Sequence, residues 1–212
     1  MPPAERPDAS SRAAAPGEPL GAAPGEPLRE PSREAVGAPS PEPPGVQPAA
    51  PFVVGVISDT HGHLYPRVAQ LLKGVDHLIH AGDVGSAEVL RALRSIAPLL
   101  AVRGNCDLDS WAGGLPARAE VELAGVRVVV GHMAPRLESE NGGQAMVVIS
   151  GHSHIASLEQ RGSVLHLNPG SAGPRRFGRA RTIAQLEIWA PAAGEPGGSP
   201  RVMARILSAE EE

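Results

Sequence analysis

The sequence predicts an α/β fold in which two β-sheets pack together with helices outside them. Two observations lead to this prediction. Residues 52–102 alternate strand and helix patterns, which indicates parallel strands joined by right-handed crossovers. Beyond residue 115 the chain carries a further series of short strand patterns, too many for one small sheet. A second sheet is therefore expected to contain part of them.

The first part of the domain begins with a continuous apolar run at residues 52–58, which is typical of a strand buried on both faces. Apolar residues at helical spacing follow over 63–73, and a short strand is predicted at 75–79. A second helical pattern covers 86–95, and residues 98–102 predict a third strand. Parallel pairing brings the carboxyl ends of these strands to one edge of the sheet.

The second part of the domain is predicted to be mostly strand. Ala124-Gly125 separates the apolar runs 121–123 and 126–130, as the turn of a hairpin would. Further strands are predicted at 146–150, 155–160, 164–167, 182–188 and 201–207. The Gly/Pro-rich stretch at 191–200 is expected to be a loop within the last hairpin.

Residues 1–50 are predicted to be a disordered extension rich in Pro, Ala and Gly, followed by one domain over 51–212. The extension holds 13 of the 23 prolines and no aromatic residue, so it cannot bury enough apolar surface to offset its ordering entropy. The segment 15–20 recurs at 23–28, a repeat typical of low-complexity polyproline II sequence. A docking arm for a proline-recognising partner is the alternative to a solvated extension.

Composition excludes several classes of protein. A net charge of −4 argues against a protein that coats nucleic acid. The single cysteine, Cys106, excludes an internal disulfide and a Cys-rich zinc site, and indicates a reducing compartment. The apolar runs are too short to cross a bilayer, and the first thirty residues lack the apolar stretch of a secretory signal. We therefore expect a cytoplasmic protein.

Metal-binding residue types follow five of the predicted strands, at the point where each strand ends. A glycine precedes the polar residue in every turn but the first, which allows the chain to bend tightly. Two pairs are spaced two residues apart, so both members of a pair are expected to face the same way in extended backbone. The seven residues are Asp59, His61, Asp83, Asn105, His132, His152 and His154.

These donors are imidazoles and oxygens without a thiolate, a set that suits Mn, Fe, Zn or Ni. Seven donors exceed the need of one ion. If Asp83 bridges, two ions about 3.5–4 Å apart each have about four protein ligands, with room for a bridging hydroxide and substrate. Two divalent ions together outweigh the negative charges of Asp59, Asp83 and a hydroxide, which leaves a net charge of about +1. The site is therefore expected to attract a phosphoryl group.

The five motifs, in this order, resemble those of calcineurin-like metallophosphoesterases over about residues 52–208. Asn105-Cys106-Asp107 and Asn168-Pro169-Gly170-Ser171 look closest to the small prokaryotic phosphodiesterase branch. The motifs are Asp59-x-His61, Gly82-Asp83, Gly104-Asn105, Gly131-His132 and Gly151-His152-x-His154.

The resemblance implies a four-layer αββα sandwich with two mixed β-sheets, the metallo-dependent phosphatase fold. It also implies two divalent ions, with manganese favoured and nickel, iron and zinc as alternatives. By this resemblance the first ion is bound by Asp59, His61, Asp83 and His154, and the second by Asp83, Asn105, His132 and His152.

We therefore predict a metal-dependent phosphodiesterase in which a bridging hydroxide attacks a small-molecule phosphodiester. Asp83, Asn105 and His132 are assigned to the catalytic centre, and Arg103 and Asn105 to substrate binding. Neither a membrane nor nucleic acid is indicated as a partner, and a homo-oligomer is left open. The alternatives are a non-catalytic protein-interaction module on the same scaffold, and metal-dependent hydrolysis of amides or carboxyl esters.

Other residues near these motifs have predicted supporting roles. The protein-phosphatase members have a histidine after the asparagine that helps to protonate the leaving group, and here Cys106 stands there. A neutral thiol is a poor proton donor, which favours diesters with stable leaving groups over alkyl monoesters. His80 is expected to support the site through an imidazole hydrogen bond. Arg175 and Arg176 are candidates for contact with a phosphate oxygen.

Overall fold

A computed structural model describes residues 50–133, 146–176, 178–191 and 198–210. Residues 1–49 of the predicted extension lie outside the described residues, so its disorder stays a prediction, as does the domain boundary near residue 51. Most of the predicted loop at 191–200 also lies outside them.

The described part of the chain contains ten strands, two α-helices and one 3-10 helix. Each predicted strand and helix is present, with ends that differ by a few residues. The strands are β1 (Phe52–Ile57), β2 (His77–His80), β3 (Leu99–Ala101), β4 (Arg118–Leu123), β5 (Val126–Gly131), β6 (Val147–Ile149), β7 (Ser157–Arg161), β8 (Val164–Asn168), β9 (Thr182–Trp189) and β10 (Arg201–Ser208). The helices are α1 (Pro66–Leu71), α2 (Ala87–Arg94) and the 3-10 helix Ser110–Gly114.

The strands form two mixed sheets, as predicted, and each sheet has five strands. The first sheet has the order β10-β9-β1-β2-β3, in which β1, β2 and β3 are parallel and β9 runs antiparallel to both β1 and β10. The second sheet has the order β4-β5-β6-β8-β7, with a parallel centre and antiparallel edges. The sandwich fold is confirmed.

Alternate residues of β1 face two different layers, which explains its continuous apolar run. Val54 and Val56 pack between the sheets against residues of β5 and β9, while Ile57 faces the helices. Gly55 lies on the helix side, where a Cβ atom would be 2.7 Å from Leu72 Cδ2 and 2.9 Å from Leu78 Cδ2. The absence of a side chain at Gly55 therefore allows Leu72 and Leu78 to pack directly against the backbone of β1.

The α-helices begin at positions that the sequence marks. Pro66 opens α1, where the absence of its amide hydrogen costs nothing. Ser86 caps α2, since its Oγ accepts a hydrogen bond from the Val89 amide at 3.4 Å. The buried face of α2 includes Leu90 and Leu93, which join the apolar layer against the first sheet. No helix among the described residues is long and apolar enough to span a bilayer.

The carboxyl ends of the parallel strands of both sheets lead into one set of loops. The loop after β1 remains paired with the loop after β2, since the amides of Asp59 and His61 each donate to a carbonyl there, of Gly82 and of Asp83, at 3.0 Å. In the second sheet the Gly151 amide donates to the His132 carbonyl at 3.0 Å. This pairing beyond the strand ends positions the polar residues that follow them.

Truncating a side chain between the sheets is expected to lower stability strongly. Leu186 on β9 is fully buried, so Leu186→Ala should reduce the free energy of unfolding by about 2–5 kcal/mol through lost burial and a cavity. Urea unfolding of the metal-free protein measures this. Leu108→Ala is the matched control, because Leu108 is 86% exposed and its loss should change the value by no more than about 0.5 kcal/mol. Equal effects of the two variants would contradict the assigned core.

Candidate metal centre

The first group of donors consists of Asp59, His61 and His154, whose candidate ligand atoms all lie within 4.8 Å of one another. His154 Nε2 is 3.2 Å from Asp59 Oδ1, and it is 3.4 Å from His61 Nε2. Asp59 is fully buried. Two imidazole nitrogens and a carboxylate oxygen thus point at one small volume from loops almost a hundred residues apart in sequence.

The second group is arranged around Asn105. Its side-chain Oδ1 lies 3.1 Å from His132 Nε2 and 2.9 Å from His152 Nδ1. His132 Nε2 is also 3.3 Å from Asp83 Oδ2. An amide oxygen, a carboxylate and two imidazoles therefore converge on a second point.

Asp83 connects the two groups. Its Oδ2 faces His132 of the second group and lies 4.0 Å from His61 Nε2 of the first group. The other oxygen, Oδ1, accepts a hydrogen bond from the Cys106 amide at 2.8 Å. Burial alone would raise the pKa of Asp83, but the hydrogen bonds with His132 and Cys106 hold it well below its usual value. Asp83 is therefore an ionised carboxylate with one oxygen directed at both groups.

A hydrogen bond on the far side of the ring orients His132. Its Nδ1 donates to the Ala81 carbonyl at 2.8 Å, which fixes the ring with Nε2 facing Asp83 and Asn105. Burial lowers the pKa of His132, but its hydrogen bonds with Asp83 and Ala81 outweigh burial and raise it. The ring is thus presented to the site by its ligating nitrogen.

Burial and a neighbouring cation keep the histidines of the first group neutral. Burial lowers the pKa of both His61 and His154, and the positive charge of Arg176 lowers it further. A neutral imidazole is the form that binds a metal ion.

The residues present fit divalent cations. Asp59 Oδ1 is buried and, among the described residues, accepts no hydrogen bond, although its neighbour Oδ2 accepts one from the His152 amide at 3.1 Å. Burial raises the pKa of Asp59, so the charged carboxylate is unfavourable without a cation nearby. A buried oxygen without a partner, facing neutral imidazoles, is a donor set that a cation would complete.

Five of the seven donor residues have left-handed backbone, which no pattern in the sequence predicts. Both members of each pair were expected to lie in extended backbone, and this expectation is wrong. Positive φ is unusual for residues with a Cβ atom and is strained unless the surroundings enforce it. The φ values are 56° for Asp59, 45° for His61, 53° for Asp83, 68° for His152 and 57° for His154.

One consequence is that His152 and His154 contact different groups. His152 lies against Asn105, whereas His154 lies against Asp59. The two were expected to face the same way, and the left-handed backbone at both positions explains the difference. One short loop therefore supplies a donor to each half of the site.

The glycines before the donor residues were predicted to allow sharp bends. At Gly104 a glycine is needed instead because there is no space for a side chain. Its φ is not in the left-handed region, but a Cβ atom there would lie 2.0 Å from Asp83 Oδ1 and 2.3 Å from the Asp83 amide nitrogen. At Gly82 both the backbone and the space require glycine: its φ is 92°, and a Cβ atom would lie 2.7 Å from the His132 ring. These glycines permit close approach of the loops.

Asp107 joins two of the loops that carry donors. Its carboxylate accepts hydrogen bonds from the amides of Val84 at 3.1 Å, Gly85 at 2.8 Å and Gly104 at 2.8 Å. The structure shows that Asp107 orients the loops.

His80 supports the site as predicted, through Thr60. The Thr60 hydroxyl donates to the Val84 carbonyl at 2.8 Å and therefore accepts from His80 Nε2 at 2.9 Å. Burial lowers the pKa of His80 to about 3, so the ring is neutral. No sequence pattern pointed to Thr60 beyond its place between two donor residues.

Arg103, which was predicted to bind substrate, and Cys106, which was predicted to be a poor proton donor, are both exposed. Arg103 is exposed and donates its backbone amide to the Pro116 carbonyl at 2.9 Å, and its side chain makes no hydrogen bond or ion pair with the described residues. Cys106 is exposed, with Sγ 3.4 Å from Asn105 Nδ2 and within 4.8 Å of ligand atoms of His61 and Asp83. Partial burial and the Asp83 carboxylate raise the pKa of its thiol, which is therefore neutral near pH 7.

The turn at 168–171 fastens the two sides of the site together. Asn168 Nδ2 donates to the Gly151 carbonyl at 2.8 Å, beside His152. Ser171 Oγ donates to the Asp59 carbonyl at 3.1 Å. Both side chains are buried, so the turn supports the donors.

Comparisons with known proteins agree on a family. Residues 52–190 match the family described as the calcineurin-like phosphoesterase superfamily domain. The chain is 36% identical over 135 residues to a probable metallophosphoesterase of Methanocaldococcus jannaschii, covering 56% of this chain and 67% of that protein. It is 31% identical over 155 residues to phosphodiesterase YfcE of Escherichia coli, covering 61% and 84%.

The fold is also similar to solved structures. Vacuolar protein sorting 29 of Cryptosporidium parvum superposes with a TM-score of 0.59 at 18% identity, covering 76% of this chain and all of that one. Identity this low shows a shared fold alone.

Removing the buried charge of Asp59 is expected to have opposite effects with and without metal. In the metal-free protein Asp59→Asn should raise the free energy of unfolding by on the order of 1 kcal/mol, because an amide in place of Oδ1 can donate to His154. Free Mn²⁺ at about 100 times its Kd should stabilise the native sequence by about 2.7 kcal/mol. The variant should lose most of that gain.

Urea unfolding in chelator and in manganese measures both effects. Asp109→Asn is the matched control, because Asp109 is exposed and should leave both values unchanged. If Asp59→Asn kept the full stabilisation by manganese, Asp59 would not be a metal ligand.

Proposed function

The chain belongs to the calcineurin-like phosphoesterase superfamily, and from this premise we propose that it is a metal-dependent phosphodiesterase with a binuclear centre. The observation that carries the proposal is the position of Asp83, whose Oδ2 lies between the two groups of donors. A carboxylate in that position can bridge two cations.

The proposed ligand sets follow the two groups of contacts. Asp83 belongs to both, and the shared carboxylate leaves each ion about four protein donors. Only the first set has a second carboxylate, so the first ion should bind more tightly. The first set is Asp59, His61, Asp83 and His154, and the second is Asp83, Asn105, His132 and His152.

When bound, two divalent cations supply Lewis acidity toward phosphoryl oxygens and a nucleophilic hydroxide from water at neutral pH. The residues of the chain hold the donors in place. The Cys106 amide fixes Asp83, and the Ala81 carbonyl fixes the ring of His132. The Asn105 oxygen is neutral, so it occupies a ligand position without adding negative charge that would repel a phosphate.

Manganese is the proposed metal, with nickel, iron and zinc as alternatives. The seven donors include no thiolate, and imidazole combined with oxygen donors suits these ions. Cys106 is close enough to interact with a soft cation, but its raised pKa disfavours the thiolate form that would bind one.

The proposed substrate is a small-molecule phosphodiester. The similarity to proteins named metallophosphoesterase and phosphodiesterase supports it. A non-catalytic interaction module is the second candidate, since the chain shares its fold with vacuolar protein sorting 29. The complete set of seven converging donors favours the enzyme.

Loss of the bridging carboxylate is expected to abolish turnover. Metal-free protein reloaded separately with Mn²⁺, Ni²⁺, Fe²⁺ and Zn²⁺ should hydrolyse bis(4-nitrophenyl) phosphate, with manganese among the active ions. Asp83→Asn should reduce kcat/KM by at least about 100-fold, because a neutral amide cannot hold two cations. The release of 4-nitrophenol measures the rate.

Asp76→Asn serves as the control, since it makes the same change on a residue before the amino end of β2, whereas the metal centre lies at the carboxyl ends of the strands. Full activity of Asp83→Asn would refute the bridging role. Full manganese occupancy without any hydrolysis would favour the interaction module.

The leaving group should control the rate strongly. Cys106 stands beside Asp83 as a neutral thiol, a poor general acid, so a leaving group with a high pKa receives little help. Aryl phosphodiesters should exceed alkyl phosphomonoesters in kcat/KM by about 100-fold or more at equal manganese loading. Faster turnover of an alkyl monoester such as glycerol 2-phosphate would contradict this.

A further inference from the structure

A loop rich in arginine lies beside the first group of donors. It runs from Ser171 to Thr182, and we call it the arginine loop. With His154 it lines a shallow depression that is open to solvent. The four arginines on it that line the depression are Arg175, Arg176, Arg179 and Arg181.

The base of the arginine loop is fixed against the metal centre. The Thr182 amide donates to the Ser171 carbonyl at 2.9 Å and closes the loop. Next to Ser171, the Ala172 amide donates to the Ser58 carbonyl at 3.0 Å. At Gly173 a Cβ atom would lie 2.3 Å from the Asp59 carbonyl oxygen, so the backbones touch. The position of the loop relative to the donors is therefore determined by packing.

Two of the arginines hold the loop in shape. Arg175 Nε donates to Glu210 Oε1 at 3.1 Å, and the Arg181 amide donates to the same oxygen at 2.6 Å. Arg181 also donates through Nε to the Gly173 carbonyl at 3.1 Å, and its guanidinium lies 3.7 Å from the centre of the Tyr65 ring. These two guanidinium groups are already engaged by a carboxylate and an aromatic ring.

The other two arginines differ in this respect. Arg176 and Arg179 are exposed, and within the described ranges neither has a carboxylate at ion-pair distance. The Arg179 amide donates to the Arg176 carbonyl at 3.1 Å, so a tight turn keeps the two residues together. In a chain with a net charge of −4, this is a local positive region that opens next to His154.

On the basis of the proposed function, we propose that Arg176 and Arg179 bind a second phosphate group of the substrate, separate from the phosphoryl group at the metal centre. The preferred substrates are then phosphodiesters that carry an additional phosphate. Guanidinium groups suit this role because their planar donors form paired hydrogen bonds with phosphate oxygens. The depression extends from His154 to both arginines, which gives the linker between the two phosphates a path.

A pair of substrates that differ by one phosphate tests the proposal. The full chain with Mn²⁺ is assayed on the 4-nitrophenyl ester of thymidine 5′-phosphate, with and without a 3′-phosphate. The 3′-phosphate should raise kcat/KM by about tenfold, mainly through KM, because bonds to charged groups contribute this much. In Arg176→Gln/Arg179→Gln the ratio of the two kcat/KM values should fall toward one. Arg94→Gln, an exposed arginine on α2, should leave the ratio unchanged.

Binding of nucleotides measured in the presence of chelator tests the phosphate subsite independently of the proposed hydrolysis. Calorimetry compares thymidine 3′,5′-bisphosphate with thymidine 5′-monophosphate, and the bisphosphate should bind more tightly to the native chain by a margin that the double variant loses. If the arginines govern this binding but no ester is hydrolysed, the proposed function fails and the phosphate subsite stands.

Three results would overturn the subsite. One is hydrolysis of both esters at equal kcat/KM by the native chain. Another is an equal loss on both esters in the double variant, which would place the arginines on the scissile phosphate. The third is an equal fall of the ratio in Arg94→Gln, which would show a general effect of charge.

Discussion

The hydrogen bond from the Cys106 amide to Asp83 Oδ1 is the contact on which the arrangement of the metal centre depends. It fixes one carboxylate oxygen against the loop after β3 and thereby turns the other toward both groups of donors. Gly104 makes this contact possible, since a side chain there would collide with the same oxygen. A backbone amide on one loop thus sets the direction of a carboxylate on another, and the two halves of the site become one.

The surrounding fold enforces the strained backbone conformation of the donor residues. Five donor residues adopt left-handed backbone, a conformation that costs on the order of 1–3 kcal/mol each where nothing enforces it. The loops are held by continued pairing beyond the strand ends and by the three amide hydrogen bonds to Asp107. The buried layers between and outside the sheets provide the stability that offsets this strain.

The sequence predicted the sandwich fold and the approximate place of every strand, because buried strands and amphipathic helices have strong periodic signals. It also singled out the seven residues that the structure brings together, since five polar motifs at strand ends are specific in combination. It did not predict their backbone. The spacing of His152 and His154 suggested one direction, but left-handed φ sends them to different groups. Backbone conformation at these positions is enforced by distant contacts, such as those of Asp107, which no local pattern encodes.

The donors come from loops far apart in the chain: His61 and His154 are 93 residues apart, and His132 is 27 residues from Asn105. Bringing them together in an unfolded chain would require closing several long loops at once, and the entropy of that closure weakens any binding of a cation there. The unfolded chain is therefore expected to chelate less well than the folded one, with the cations of the proposed centre bound after folding. Such cations would stabilise the finished fold by an amount that grows with their concentration.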